Sequence, residues 1–147
     1  MPARILVIET DQHIRELIAE ILHDEGYEVR VGDRASVTYA DIVETDPDLI
    51  ILDVIPHLAA QSWALVAQLQ QRPATQTISL IVSSTVTPTA DESPALPSQV
   101  ALLPKPFALD VLLQTVGESL RVARRHGVSS RLCYRQSDRE HGRGDHA

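Results

Sequence analysis

Apolar residues in this chain fall into short unbroken runs separated by stretches where they recur every three or four positions. The runs are Ile5 to Ile8, Leu49 to Leu52, Ile78 to Val82 (broken only by Ser79) and Val100 to Leu103. A short apolar run between turn-forming residues reads as a strand buried on both faces, as in the centre of a parallel sheet. Residues Tyr27 to Val31 alternate and predict a further strand. The run at Leu49 ends abruptly on a carboxylate, Asp53, with Pro47 before it and Pro56 after it. Asp53 is therefore expected at the carboxyl end of a central strand, where open α/β sheets place their ligands.

Between the runs the period changes to that of a helix. Ile14, Leu17, Ile18, Ile21 and Leu22 make an amphipathic stripe, with Asp11 placed to cap it and Gly26 to end it. Residues 34 to 45 carry a weaker helical pattern that stops before Pro47. A loop from Pro56 to Gln61 is expected next. Trp63, Val66 and Leu69 then predict a third helix to Gln71, and Leu109, Leu112, Leu113, Val116 and Leu120 a closing one. Residues 86 to 99 hold Pro88, Pro94 and Pro97, and each proline inside a helix costs about 3 kcal/mol. A loop or distorted turn is predicted there, so a fourth helix is lost or distorted. The alternation of strand and helix predicts an α/β fold with a parallel five-stranded sheet and helices on both faces. Residues 1–126 are read as one domain. Residues 127–147, rich in Ser, Arg, His and Gly without periodicity, are read as a disordered tail.

Composition narrows the class. A chain of 147 residues buries a sizeable core without metal or disulfide staples. Its single cysteine, Cys133, cannot form an internal bridge, which fits a reducing compartment. No apolar run reaches membrane-spanning length, and the start is too short for a signal-peptide core. A soluble, cytoplasmic protein is expected. The net charge of -7 is unevenly spread, with 6 Lys/Arg against 17 Asp/Glu in residues 1–120 and 7 Arg against 3 acids in residues 121–147. An acidic body argues against nucleic acid as partner, and the basic tail, lacking aromatic residues for stacking beyond Tyr134, reads as solvated.

Polar residues gather at the predicted strand ends: Glu9, Thr10 and Asp11; Asp53; Ser83, Ser84 and Thr85; and Lys105. A parallel sheet brings these ends to one rim. The carboxylates suit a hard cation such as Mg²⁺, Asp53 suits nucleophilic attack on phosphorus, and Lys105 with a hydroxyl suits neutralising the added oxygens.

The segments ILVIETDQHIREL, PDLIILDVIP, the strand ending in Ser84-Thr85, and LLPKPF, in that order, resemble the receiver domain of bacterial two-component response regulators over residues 4 to about 121. The resemblance implies a flavodoxin-like (βα)₅ three-layer sandwich with strand order 2-1-3-4-5. It also implies phosphoryl transfer to Asp53 from a histidine kinase or phosphotransfer protein, with Mg²⁺ bound. Position by position, Asp53 matches the phosphoacceptor, Lys105 the phosphoryl partner and Ser84 the switch hydroxyl, with Ser83 the alternative one residue earlier. The metal set implied is Glu9, Asp53 and the backbone carbonyl of Ile55, with Thr10 or Asp11 assisting. The peptide bond before Pro106 is implied to be cis.

Several positions depart from the family pattern. Thr10 stands where a second acidic ligand is usual, so Mg²⁺ binding is expected to be weakened or lost. The loop after Asp53 is one residue short, Gln61-Ser62 replaces the usual Asp-Gly before the third helix, Thr85 replaces a small residue, and Leu102 replaces an aromatic one. The leading expectation is a single-domain response regulator that signals by protein contact with a downstream partner. The alternative is a pseudo-receiver, a binding module that signals without phosphorylation. An enzyme acting on free phosphoester is disfavoured, because no substrate-covering domain or general acid is evident.

Overall fold

The computed structural model describes residues 2–34, 36–84 and 100–125. Five strands form one parallel sheet: β1 (Arg4–Ile8), β2 (Glu28–Gly32), β3 (Leu49–Val54), β4 (Ser79–Ser84) and β5 (Val100–Pro104). Their spatial order is β2-β1-β3-β4-β5, as expected, so β3 lies at the centre and all six of its residues are buried. Four α-helices are described: α1 (Gln12–Asp24), α2 (Tyr39–Thr45), α3 (Ala59–Gln71) and α4 (Leu109–Arg125).

Successive strand residues face opposite sides of the sheet, and the core divides accordingly. Leu6, Ile8, Ile50, Leu52, Val54, Leu80 and Val82 pack with Ile42 of α2 and with Leu65, Val66 and Leu69 of α3. Ile5, Val7, Leu49, Ile51, Ile81 and Leu103 pack with Ile18 and Leu22 of α1 and with Leu112, Val116 and Leu120 of α4. Trp63 and Phe107 sit partly buried at the margins of these two cores. This arrangement is the three-layer, flavodoxin-like sandwich.

Local chemistry sets the helix ends. Asp11 accepts hydrogen bonds from the amides of His13 (2.9 Å) and Ile14 (3.2 Å), capping α1, and Gly26 takes the positive φ of 94° that ends it. Only Ile18 and Leu22 of the α1 stripe are fully buried, while Ile14 and Leu17 remain exposed.

Boundaries at α2, at the start of α3 and at β2 differ from the sequence expectation, and β4 begins at Ser79 rather than Ile78. The weak pattern from residue 34 yields a helix only from Tyr39, because Asp33 O first accepts the amides of Ser36 and Val37 in a turn. Thr38 and Asp41 then close a reciprocal capping box that fixes the start. The expected loop from Pro56 to Gln61 is instead a 3-10 turn, Pro56–Leu58, running straight into α3 at Ala59. Proline suits such a first turn, since its missing N–H is not needed there. Gln61 and Ser62 thus lie inside α3 rather than before it. Strand β2 starts one residue late, since the Tyr27 amide is taken by Leu22 O of the α1 terminus. The proline-rich stretch 86–99, with the expected loss of a helix there, Thr85, and the tail 127–147 lie outside the described residues.

Candidate functional site

The rim above the carboxyl ends of β1, β3, β4 and β5 joins residues that are distant in sequence. Asp53, next to last in β3, is 2% exposed. Lys105 follows β5 directly, and its Nζ donates to Asp53 Oδ1 at 2.5 Å. The same Nζ lies 3.6 Å from Glu9 Oε2. One ammonium therefore spans two carboxylates. The Lys105–Pro106 peptide bond is cis, as the resemblance implies.

Glu9 is held by its backbone. Its amide donates to Gly32 O at 3.2 Å, and Arg15 Nη1 donates to its carbonyl at 2.9 Å. Burial of the side chain, followed by the facing carboxylate of Asp53, pushes the Glu9 carboxyl up to about 7, with Lys105 opposing the shift. The single lysine does not fully balance two buried carboxylates, and the imbalance is relieved by a proton held on Glu9.

The register of the sheet decides between the two strand-end serines. Asp53 pairs with Ser83, and Val54 with Ser84. Residues in register share a face, so Ser83 stands beside Asp53, whereas Ser84 turns with Val54 toward α2 and α3. Ser83 is 2% exposed, and its Oγ has no hydrogen-bond partner among the described residues. An unpaired buried hydroxyl costs about 1–3 kcal/mol. Ser83 is thus a polar group waiting at Asp53 for something to bond.

The remaining residues singled out from sequence are arranged differently. Thr10 and Asp11 are exposed, and the Asp11 carboxylate is engaged in capping α1. Ile55 opens the 3-10 turn, where its carbonyl accepts the Leu58 amide at 3.0 Å and keeps one lone pair. Among the described residues, no three acidic, histidine or cysteine side chains gather as a metal cluster. Glu9 and Asp53 are the buried carboxylates that a cation at this rim would meet, and two such hard oxygen donors fit a divalent ion better than they fit one ammonium. Arg15 and Arg34, both tied into this rim, carried no signal in the sequence, because an arginine on a helix or loop reads first as solvated.

The model for the response regulator receiver domain matches residues 5–117. The chain belongs to the response regulator receiver domain family. This receiver domain is 29% identical over 141 residues to the response regulator MprA of Mycobacterium bovis, covering 94% of this chain and 59% of the relative. It thus spans about three fifths of that curated relative. Among solved structures it is similar to the receiver domain of a signal transduction histidine kinase from Syntrophus aciditrophicus, with TM-score 0.69 and 26% identity over 81% of this chain and 90% of that one. The chemotaxis protein CheY4 of Vibrio cholerae shares the fold, with TM-score 0.68 and 24% identity over 81% of this chain and 99% of that one. No described helix is long and apolar enough to cross a membrane.

Proposed function

We propose that this receiver domain accepts a phosphoryl group on Asp53 from a phosphohistidine donor, a histidine kinase or a phosphotransfer protein, in the cytoplasm. The observation that carries the reading is the contact of Lys105 Nζ with Asp53 Oδ1, at 2.5 Å, at the buried end of the central strand. An Asp53 oxygen attacks phosphorus as the bond from phosphorus to the histidine nitrogen breaks, leaving an acyl phosphate and a free imidazole. Lys105 moves with the charge, from carboxylate to the new phosphoryl oxygens. Ser83, in register with Asp53 and unpartnered, is assigned the hydroxyl that bonds one of those oxygens, in preference to Ser84.

Glu9, Asp53 and the carbonyl of Ile55 would hold Mg²⁺, with the Thr10 hydroxyl as the remaining neighbour. When bound, the ion supplies charge neutralisation for the transferring group. With a hydroxyl at Thr10 in place of a carboxylate, two carboxylates rather than three would hold the ion, and its affinity would be reduced. The phosphorylated rim would then be read by a downstream protein.

The test is incubation with acetyl phosphate and Mg²⁺, followed by intact-protein mass measurement. A gain of one phosphoryl group that is abolished in Asp53→Asn supports the proposal. An unlabelled protein, or equal labelling of the variant, overturns it and leaves a binding module that works without phosphorylation.

A further inference from the structure

The segment that carries Ile55 away from Asp53 is fixed only in part by its own sequence, through Pro56 and the bond from the Leu58 amide to the Ile55 carbonyl. Neither the 3-10 turn at Pro56–Leu58 nor α3 has a side-chain hydrogen bond at its N-cap, and neither first turn contains an acidic residue. Pro56 is the one local helix-start device here, and neither start has a capping side chain. The tie comes from another element. Arg34, half-buried between β2 and α2, donates through Nε to Ser62 Oγ at 3.1 Å, and Ser62, the fourth residue of α3, is fully buried.

The mount of Arg34 is itself fixed to the acidic side of the rim. Two residues earlier, Gly32 O accepts the Glu9 amide at 3.2 Å, and the intervening Asp33 O closes the turn by accepting the amides of Ser36 and Val37 at 3.0 and 2.9 Å. A side chain at Gly32 would meet Val37 Cγ2 at 2.3 Å, so the turn is packed tightly against its strand. The path from Glu9 through Gly32 and Arg34 to Ser62 therefore joins the β1–α1 turn to the first turn of α3.

We infer that Arg34 and Ser62 are positioning residues, a brace that holds the Ile55 backbone in place relative to Glu9. The inference rests on the proposed phosphoacceptor reading for its consequence: the brace sets how well Glu9 and Ile55 act together on one cation. Its mechanical part is independent of phosphorylation.

Two measurements separate the inference from the reading it rests on. The first is hydrogen exchange at the Leu58 amide in the unphosphorylated protein. Arg34→Ala and Ser62→Ala are each expected to speed exchange roughly tenfold, and the double variant no further, since both remove one charge-assisted hydrogen bond. Unchanged exchange, or additive effects, would overturn the brace.

The second is the Mg²⁺ concentration giving half-maximal labelling by acetyl phosphate. It is expected to rise several-fold in both variants with little change in the maximal rate, and to return toward the wild-type value in Arg34→Lys, whose ammonium can reach Ser62. Tyr39→Phe, which removes the 3.3 Å contact with Thr75 Oγ1 elsewhere on this face, is the structural control and is expected to leave that concentration unchanged. An equal rise in the control, or none in Arg34→Ala, would defeat the inference. A wild-type protein that takes no label defeats the phosphoacceptor reading instead, while the exchange measurement still judges the brace.

Discussion

Asp53 and Ser83 stand directly opposite each other on β3 and β4, both 2% exposed, and the serine hydroxyl has no partner among the described residues. Removing an unpaired buried hydroxyl removes a group that is desolvated on folding without a compensating hydrogen bond, so it costs the folded state almost nothing. Ser83→Ala is expected to leave the melting temperature unchanged or raised, and to slow labelling of Asp53 by about tenfold. Ser84→Ala is expected to have the smaller effect on labelling, because Ser84 pairs with Val54. Labelling rates of the two variants side by side, with thermal melts, check both halves.

Lys105 is the cation shared by Glu9 and Asp53. Its replacement by glutamine leaves two buried carboxylates facing each other, and loss of one member of a buried ion pair costs about 3–5 kcal/mol. Urea unfolding at pH 8 is expected to show a loss of this order in Lys105→Gln. The loss is expected to shrink at pH 5, where Glu9 holds its proton, and to shrink at pH 8 when Glu9→Gln is added.

Glu9 makes stability depend on pH in an unusual direction for a carboxyl. In the folded protein it keeps its proton up to about pH 7, against an ordinary value of 4.5. Between these values the folded state binds more protons than the unfolded one, so stability falls as pH rises through this window and levels off above it. The contribution is on the order of 3 kcal/mol. Without divalent metal, wild type minus Glu9→Gln stability, measured from pH 4 to 8, is expected to decline across the window; a flat difference would refute the assignment.

Two glycines separate by the space around them. A Cβ at Gly117, inside α4, meets nothing within 4 Å, and alanine favours a helix over glycine by about 1 kcal/mol. Gly117→Ala is expected to raise the melting temperature. At Gly32 the same change would drive a Cβ to 2.3 Å from Val37 Cγ2, and a loss of about 1–3 kcal/mol is expected from the forced shift. Thermal melts of the two variants check the opposite signs.

Much of the architecture was written in local patterns. Runs of apolar residues marked the strands because a strand buried on both faces favours apolar side chains at successive positions, and Asp53 and Lys105 stood out because each ends such a run. The capping carboxylate of Asp11 and the stop at Gly26 followed from helix-end chemistry. Family resemblance supplied the strand order, which periodicity alone does not contain.

Other features depended on contacts between segments. The late start of α2 arose from a turn at Asp33 followed by the capping box of Thr38 and Asp41, which together place the helix start at Tyr39. Which of Ser83 and Ser84 faces Asp53 was closed to the sequence for a specific reason: the run Leu80 to Val82 is apolar toward both faces and two serines follow it, so alternation leaves no mark of which one faces Asp53. Register with β3 places Ser83 opposite Asp53 and Ser84 opposite Val54. The raised Glu9 carboxyl, the ammonium shared by two acids, and the brace from Arg34 to Ser62 are likewise sums over burial and distance. The sequence by itself determined which strand ends gather polar residues; the tertiary structure decided which side chains meet there, because that depends on register and on neighbours many residues away.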